Sequence, residues 1–105
     1  MDAQMKKGIL EMCILFLVSK ENMYGYDLIK LLKKNFPEVN ESTFYAILRR
    51  LCKDGVTEYY FGHESNGPQR KYYRVTAQGI TYLNTQINNW EKLFDIIRAI
   101  GVKKV

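Results

Sequence analysis

The sequence predicts an α+β fold that is mostly helical, with three helices, a β-hairpin and one long final helix. Apolar residues recur at helical spacing in four segments, and two short runs rich in Tyr, Phe, Val and Thr flank a turn-forming segment. The last apolar series has heptad spacing. The chain has 105 residues, of which 47% are hydrophobic, which is enough for one domain with a closed core.

The first two helices are predicted from apolar spacing and from a proline. Residues 8–20 are apolar on almost every face, which is typical of a helix buried on most sides. Residues 24–35 form the second helix, and Pro37 ends it because proline lacks the amide hydrogen and disfavours helix before it. Gly25 would let this helix begin close to another backbone. Tyr24 and Tyr26 either pack in the core or offer a hydroxyl to a phosphate.

Helix three has the clearest ends. Asn40 is a good N-cap, Glu41 suits the positive end of the helix dipole, and Asp54 and Gly55 end the apolar stripe. The positions predicted to face outward are small, hydroxylated or basic: Ser42, Thr43, Tyr45, Ala46, Arg49, Arg50 and Lys53. Short side chains let a helix approach base edges, and arginine forms paired hydrogen bonds with guanine or phosphate. We predict that this face contacts DNA; Tyr45 is equally suited to burying its ring and offering only its hydroxyl.

Residues 57–61 and 70–75 are predicted to form a β-hairpin joined by the turn-forming segment 62–69. We predict that Arg70 and Lys71 on the return strand contact phosphates or the minor groove. Arg74, farther from the tip, is as well suited to pairing with a carboxylate. Three helices followed by a basic hairpin is the order of a winged helix-turn-helix domain, which we assign to residues 1–75.

The final helix is predicted to form a dimer. Thr76 is its expected N-cap, and its apolar residues are separated by three or four positions: Ile80, Leu83, Ile87, Trp90, Phe94 and Ile97. A helix of about 24 residues is roughly 36 Å long, which exceeds what one small winged domain can cover. We therefore assign residues 76–105 to dimerisation with a second copy. Because Leu93, Ile96 and Ile100 widen the stripe beyond a minimal coiled-coil seam, we expect this helix to pack against both the partner and helix one.

Charge favours a polyanionic partner, and motifs for catalysis are missing. Lys and Arg number 16 against 11 Asp and Glu, and segments 42–53 and 65–90 each contain three cations and no carboxylate. A solvated basic face is the ordinary alternative for either cluster. With His63 as the one histidine, and no catalytic triad, glycine-rich phosphate loop or metal-ligand cluster, we expect no enzyme activity, cofactor or metal.

The sequence also predicts a cytoplasmic protein. Its longest apolar stretch, residues 9–18, contains Glu11 and is half the length of roughly 20 residues that crosses a bilayer, and no signal-peptide cleavage site follows. Cys13 and Cys52 are interpreted as reduced packing thiols. Lys6 and Lys7 before helix one are either a solubilising end or a contact to the DNA backbone.

The chain resembles the PadR family of bacterial transcriptional regulators, in its short form with a single C-terminal helix. The matching segments span about residues 7–97 in the family's order: Lys7-Gly8-Ile9-Leu10, Tyr24-Gly25-Tyr26, Thr43-Phe44-Tyr45, Leu48-Arg49-Arg50-Leu51, Asp54-Gly55, Arg70-Lys71-Tyr72-Tyr73-Arg74, and Thr76 with Gly79. The chain departs from the family at Ala46, where many members have proline, at Thr57, where an apolar residue is common, and at the wing tip, 67–69.

The resemblance implies a homodimeric repressor that acts on its own gene or on a neighbouring transporter or stress gene. Helix three of each protomer would enter the major groove of a pseudo-palindromic operator, with wings at the flanks and half-sites about 34–36 Å apart. A small effector or a stress would alter its affinity for DNA. The competing hypothesis is a winged-helix module that binds proteins, which would need an apolar outer face on helix three.

The resemblance further implies a hollow between the protomers in which planar aromatic or cationic compounds stack on aromatic side chains of the last helix. Residues here that would line it or attract a cation are Trp90, Phe94, Ile87, Met12, Glu91 and Asp95. Packing in the dimer alone is the other interpretation of Trp90.

Overall fold

The computed structural model describes residues 3–62 and 67–105. Within these residues the helices are α1 (Ala3–Lys20), α2 (Gly25–Asn35), α3 (Glu41–Lys53) and α4 (Ala77–Ile100), and the strands are β1 (Met23–Tyr24), β2 (Thr57–Gly62) and β3 (Arg70–Val75). The predicted α+β, mostly helical fold with a β-hairpin and a long last helix is confirmed. His63, which we place in the hairpin loop, lies outside the described residues.

The start of α1 and the strand β1 differ from the prediction. Helix α1 begins at Ala3 rather than at Gly8, so Lys6 and Lys7 lie within the helix and not before it, because Gln, Met and Lys all have good helix propensity. Met23 and Tyr24 form strand β1 and pair antiparallel with Tyr73 and Tyr72 of β3. A strand of 2 residues is too short to produce a detectable alternation of apolar and polar residues.

The sheet has the order β1-β3-β2, so the returning strand of the hairpin is central. Strands β2 and β3 pair from Thr57 opposite Val75 to Gly62 opposite Arg70. Gly25 lies against this sheet, since a Cβ there would stand 3.0 Å from the ring of Tyr73. Helix α2 therefore begins in close contact with β3.

The core is built around the apolar stripe of α3. Phe44 and Leu48 are fully buried, and Leu51 is nearly so. They pack in one cluster with buried residues of α1 and α2, namely Leu10, Ile14, Leu15, Val18, Leu28, Ile29 and Leu32. Because one side of α3 is fixed in this cluster, its opposite side is turned to solvent.

The first turn of α4 is docked on the segment between α3 and β2. As predicted, Thr76 is the N-cap: its Oγ1 accepts a hydrogen bond from the amide of Gly79 at 3.0 Å and donates one to the carbonyl of Gly55 at 2.7 Å. Leu83, one turn on, is buried against the core. From Glu91 onward every residue of α4 is exposed.

None of the described helices combines the length and apolarity that crossing a bilayer requires.

Gly79 is predicted to be essential for this docking. A Cβ at Gly79 would lie 2.0 Å from the carbonyl oxygen of Val56 and 2.7 Å from Cγ2 of Val75, so Gly79→Ala must displace α4. We expect Gly79→Ala to lower the free energy of unfolding, measured in urea, by about 1–3 kcal/mol. Gly8→Ala is the matched control in a helix, with no heavy atom within 4 Å of its Cβ. Gly8→Ala should raise the free energy of unfolding by about 0.5–1 kcal/mol. Equal changes in this free energy for the two variants would contradict the prediction.

Candidate nucleic-acid interface

The outer face of α3 is exposed and carries most of the side chains predicted to contact DNA. Exposed positions on this face, opposite the buried stripe, are Ser42, Thr43, Ala46, Arg49 and Lys53. The amide of Thr43 bonds to the carbonyl of Asn40 at 3.0 Å, while the side chain of Asn40 makes no capping bond. Asn40 is therefore the N-cap by position. Along the outer face of α3, hydroxyl groups lie near the start of the helix and cations lie towards its end.

Tyr45 lies at the edge of this face and is half-buried against the core. Burial raises the pKa of its hydroxyl, and the negative charge of Glu41 adds to this shift. The hydroxyl therefore remains a neutral hydrogen-bond donor and acceptor at physiological pH. The sequence left two interpretations of Tyr45 open, and the structure supports the one in which its ring packs against the core.

Arg50 lies on the predicted face of α3 but is paired with a carboxylate of α1. Its Nη2 donates to Oε1 of Glu11 on α1, and its side chain is half-buried. Arg50 is four and seven positions from Ala46 and Thr43, so it lies on the same side of α3 as these residues, but its guanidinium is paired with Glu11 instead of pointing freely into solvent beside Arg49. Glu11 explains the difference, since a carboxylate enclosed among apolar neighbours needs a cation.

A concave surface of about 760 Å³ lies between the start of α1 and the outer face of α3. Its lining consists of Lys6, Lys7, Leu10, Ser42, Thr43, Ala46, Ile47 and Arg50. Lys7 is exposed, and Lys6 pairs with Glu38 at 3.6 Å. The sequence left the role of Lys6 and Lys7 open, and the structure brings both beside the hydroxyls of α3.

The cations of the hairpin are ordered by aromatic rings. Lys71 Nζ lies 3.8 Å from the centroid of the Tyr59 ring, and the guanidinium of Arg70 lies 5.0 Å from that of Tyr24. Arg74 pairs with Glu58 at 2.8 Å, which is one of the two roles predicted for it. These ring contacts were not predicted, although the two adjacent tyrosines flanked by cations in Arg70–Val75 were a signal for them.

The rings of the outer hairpin face also stack on one another. Tyr60 and Tyr72 have centroids 5.6 Å apart with planes 16° from parallel, and the Tyr24 ring follows at 5.9 Å from Tyr72. Tyr26, on the other side of Gly25, is 56% exposed, so the core-packing interpretation fails for its ring.

The candidate ligand residues lie along α1 and α4. Met12 and Ile87 are half-buried against the core, and Trp90 is half-buried with its ring 6.0 Å from that of Phe94. Glu91 is exposed, whereas Asp95 pairs with Arg98 at 3.5 Å. The apolar side chains of α4 beyond Trp90 are exposed: Leu93, Phe94, Ile96, Ile97 and Ile100.

The two cysteines are free thiols, as expected. Both are half-buried, and burial raises the pKa of Cys13. Cys52 Sγ lies 3.2 Å from Oγ1 of Thr57. In residues 3–62 and 67–105 no group of three or more His, Cys, Asp or Glu side chains is arranged to hold a metal ion.

Known proteins with this sequence pattern and fold are transcriptional regulators rather than enzymes. The PadR-like transcriptional regulator family matches residues 14–85. A PadR-like transcriptional regulator from Bacillus cereus is 35% identical, with a TM-score of 0.83 over 97% of this chain and 100% of its own. A PadR-like transcription factor from Bacteroides fragilis is 38% identical, with a TM-score of 0.80 over 93% of this chain and 95% of its own.

The match also extends to a curated relative. An uncharacterised protein from Lysinibacillus sphaericus is 36% identical over 94 residues, which cover 87% of this chain and 86% of that protein. With the family pattern spanning α1 to α4 and solved relatives sharing the whole fold, the chain belongs to the PadR-like family of transcriptional regulators.

Proposed function

We propose that the protein is a homodimeric, sequence-specific DNA-binding repressor of its own gene or of a neighbouring transporter or stress gene. Residues 1–75 form its DNA-binding domain, and residues 76–105 form its dimerisation helix. The observation that carries the proposal is the outer face of α3, where small and hydroxylated side chains precede exposed cations. α3 enters the major groove and the hairpin lies at its flank.

Each part of the basic surface has a role in the proposal. Ser42, Thr43 and Ala46 allow α3 to approach base edges, and Arg49 hydrogen-bonds to a base. The remaining contacts are made to phosphates by Lys7, Tyr45, Lys53, Arg70 and Lys71. The alternative of a protein-binding module is disfavoured, since the exposed face of α3 lacks the apolar patch that such a module needs.

Dimerisation is supported by the exposed end of α4. Phe94 and Ile97 of the heptad series are 49% and 40% exposed, and Ile96 and Ile100 are 55% and 74% exposed. A contiguous apolar surface of this kind favours association, and a second copy of α4 has the matching heptad spacing. A two-fold dimer then fits a pseudo-palindromic operator.

Responsiveness to a ligand is proposed for the aromatic pair on α4. Trp90 and Phe94 offer adjacent ring faces, and Glu91 is an exposed carboxylate one residue from Trp90. A planar aromatic cation would stack on the rings and be attracted by the carboxylate.

The DNA-binding proposal is tested by fluorescence anisotropy with DNA from upstream of the gene, against a shuffled duplex, at about 150 mM salt. We expect a strong preference for one natural fragment. Arg49→Gln should weaken binding to that fragment by about 1–3 kcal/mol because a base contact is lost. Lys71→Gln should weaken binding to all sequences alike and reduce the salt slope by about 1. If selection from fragmented genomic DNA enriches no sequence, specific DNA binding is contradicted.

The dimer is tested by sedimentation. Ile97→Lys places a charge on the exposed heptad surface, so it should shift the protein from dimer to monomer at micromolar concentration. Thr85→Lys is the matched control, because Thr85 is exposed on the polar side of α4. It should leave the sedimentation coefficient unchanged, and a monomeric wild-type protein would contradict the proposal.

The ligand is tested through the fluorescence of Trp90, the one tryptophan of the chain. Planar aromatic cations should quench this emission, and Phe94→Ala should weaken the apparent affinity by removing the adjacent ring. Unchanged emission across a broad panel of planar dyes would leave Trp90 with a packing role alone.

A further inference from the structure

Glu11 of α1 connects the two helices to which the proposed function gives separate roles. Its Oε1 accepts a hydrogen bond from Nη2 of Arg50 on α3, and its Oε2 accepts one from the hydroxyl of Tyr82 on α4 at 3.3 Å. The side chain of Glu11 is only 13% exposed. We call Glu11, Arg50 and Tyr82 the Glu11 bridge, since they join the proposed base-contacting helix to the proposed dimer helix.

Packing alone does not account for a carboxylate at this position. Glu11 interrupts an otherwise apolar run, residues 9–18. Replacing a buried ion pair by apolar side chains of similar volume is often neutral or stabilising, so stability by itself does not call for Glu11 and Arg50. A role in positioning the charge of Arg50 explains the pair.

Arg50 lies at the border between two concave surfaces. It lines the surface of about 760 Å³ beside the outer face of α3, and it also lines one of about 420 Å³ with Glu11, Gln78 and Tyr82. Its side chain is 36% exposed, and a guanidinium carries five N–H donors. A DNA phosphate beside α3 would therefore compete with Glu11 for the same cation.

Tyr82 can adjust this competition. Its hydroxyl satisfies Oε2 of Glu11, but the 3.3 Å distance is longer than the usual 2.5–3.0 Å of such bonds, so a small shift of α4 against α1 breaks it. Oε2 is then free to accept a second N–H of Arg50, because guanidinium and carboxylate groups favour bidentate pairing. Arg50 is then held more firmly away from the DNA.

We propose that Glu11 is a positioning residue for DNA binding, which restrains Arg50 to a degree set by Tyr82 and hence by the position of α4. This inference rests on the proposed DNA-binding function. It gives α4 a direct connection to the DNA-binding surface through a single carboxylate.

The test measures affinity against salt concentration for the DNA fragment that the wild-type protein prefers. Glu11→Gln keeps the shape of the side chain and removes its charge, so a released Arg50 gains a phosphate. We expect affinity at low salt to rise about threefold or more and the slope of log affinity against log salt to steepen by about 0.9. Tyr82→Phe should lower the affinity by about two- to fivefold, because Arg50 is then bound by both oxygens of Glu11.

The Arg50→Gln background separates this mechanism from a general structural effect. Without Arg50, neither Glu11→Gln nor Tyr82→Phe should change the affinity or the slope. Thr81→Val is the matched control for hydroxyl removal on α4, since the Thr81 hydroxyl donates to the Ala77 carbonyl of its own helix at 3.4 Å. It should bind DNA as the wild-type protein does.

An unchanged salt slope in Glu11→Gln, or a Tyr82→Phe effect that persists without Arg50, would overturn the inference. Thermal unfolding followed by circular dichroism verifies that each variant is folded. If Glu11→Gln does not fold, Tyr82→Phe tests the inference by itself. It should lower the affinity when Arg50 is present and leave the affinity unchanged in the Arg50→Gln background. A wild-type protein that prefers no DNA fragment would instead overturn the proposed function, so the two failures are distinguishable.

Discussion

Burial of the apolar stripe of α3 is the constraint on which the rest of the molecule depends. Phe44 and Leu48 have no exposed surface, and full burial of each such side chain contributes about 1.5–3 kcal/mol. With these residues fixed between α1 and α2, α3 cannot rotate about its axis without exposing them. The orientation of Thr43, Ala46 and Arg49 towards solvent is thus a consequence of core packing, and no separate interaction is needed to present that face.

The same packing divides α4 into two parts with different environments. Its first turns are held by the Thr76 cap, by the close approach of Gly79 to Val56, and by the burial of Leu83. Its last turns project beyond the domain with their apolar side chains exposed. One uninterrupted helix therefore links the interior of the winged domain to the surface proposed for the second copy, and the Glu11 bridge lies within the docked part.

The elements that could be predicted from sequence are those with long-range periodicity or clear caps. The three-four spacing after Thr76 predicted α4 to its observed length, and Asn40 marked the start of α3. The pairing of Arg50 with Glu11 could not be predicted, because the two residues are 39 positions apart in the sequence. Strand β1 was missed for a similar reason, since its hydrogen bonds come from β3 and its own residues carry no strand pattern.

The ring contacts of the hairpin also change the entropy of any later encounter with a polyanion. Free lysine and arginine side chains lose up to about 2 kcal/mol of rotamer freedom when they are ordered. Lys71 over Tyr59, and Arg74 between Glu58 and the Tyr60 ring, already have restricted side chains in the folded chain. Much of that conformational entropy is lost during folding, so the cations of the hairpin form a preorganised array of charge before the proposed contact with phosphates.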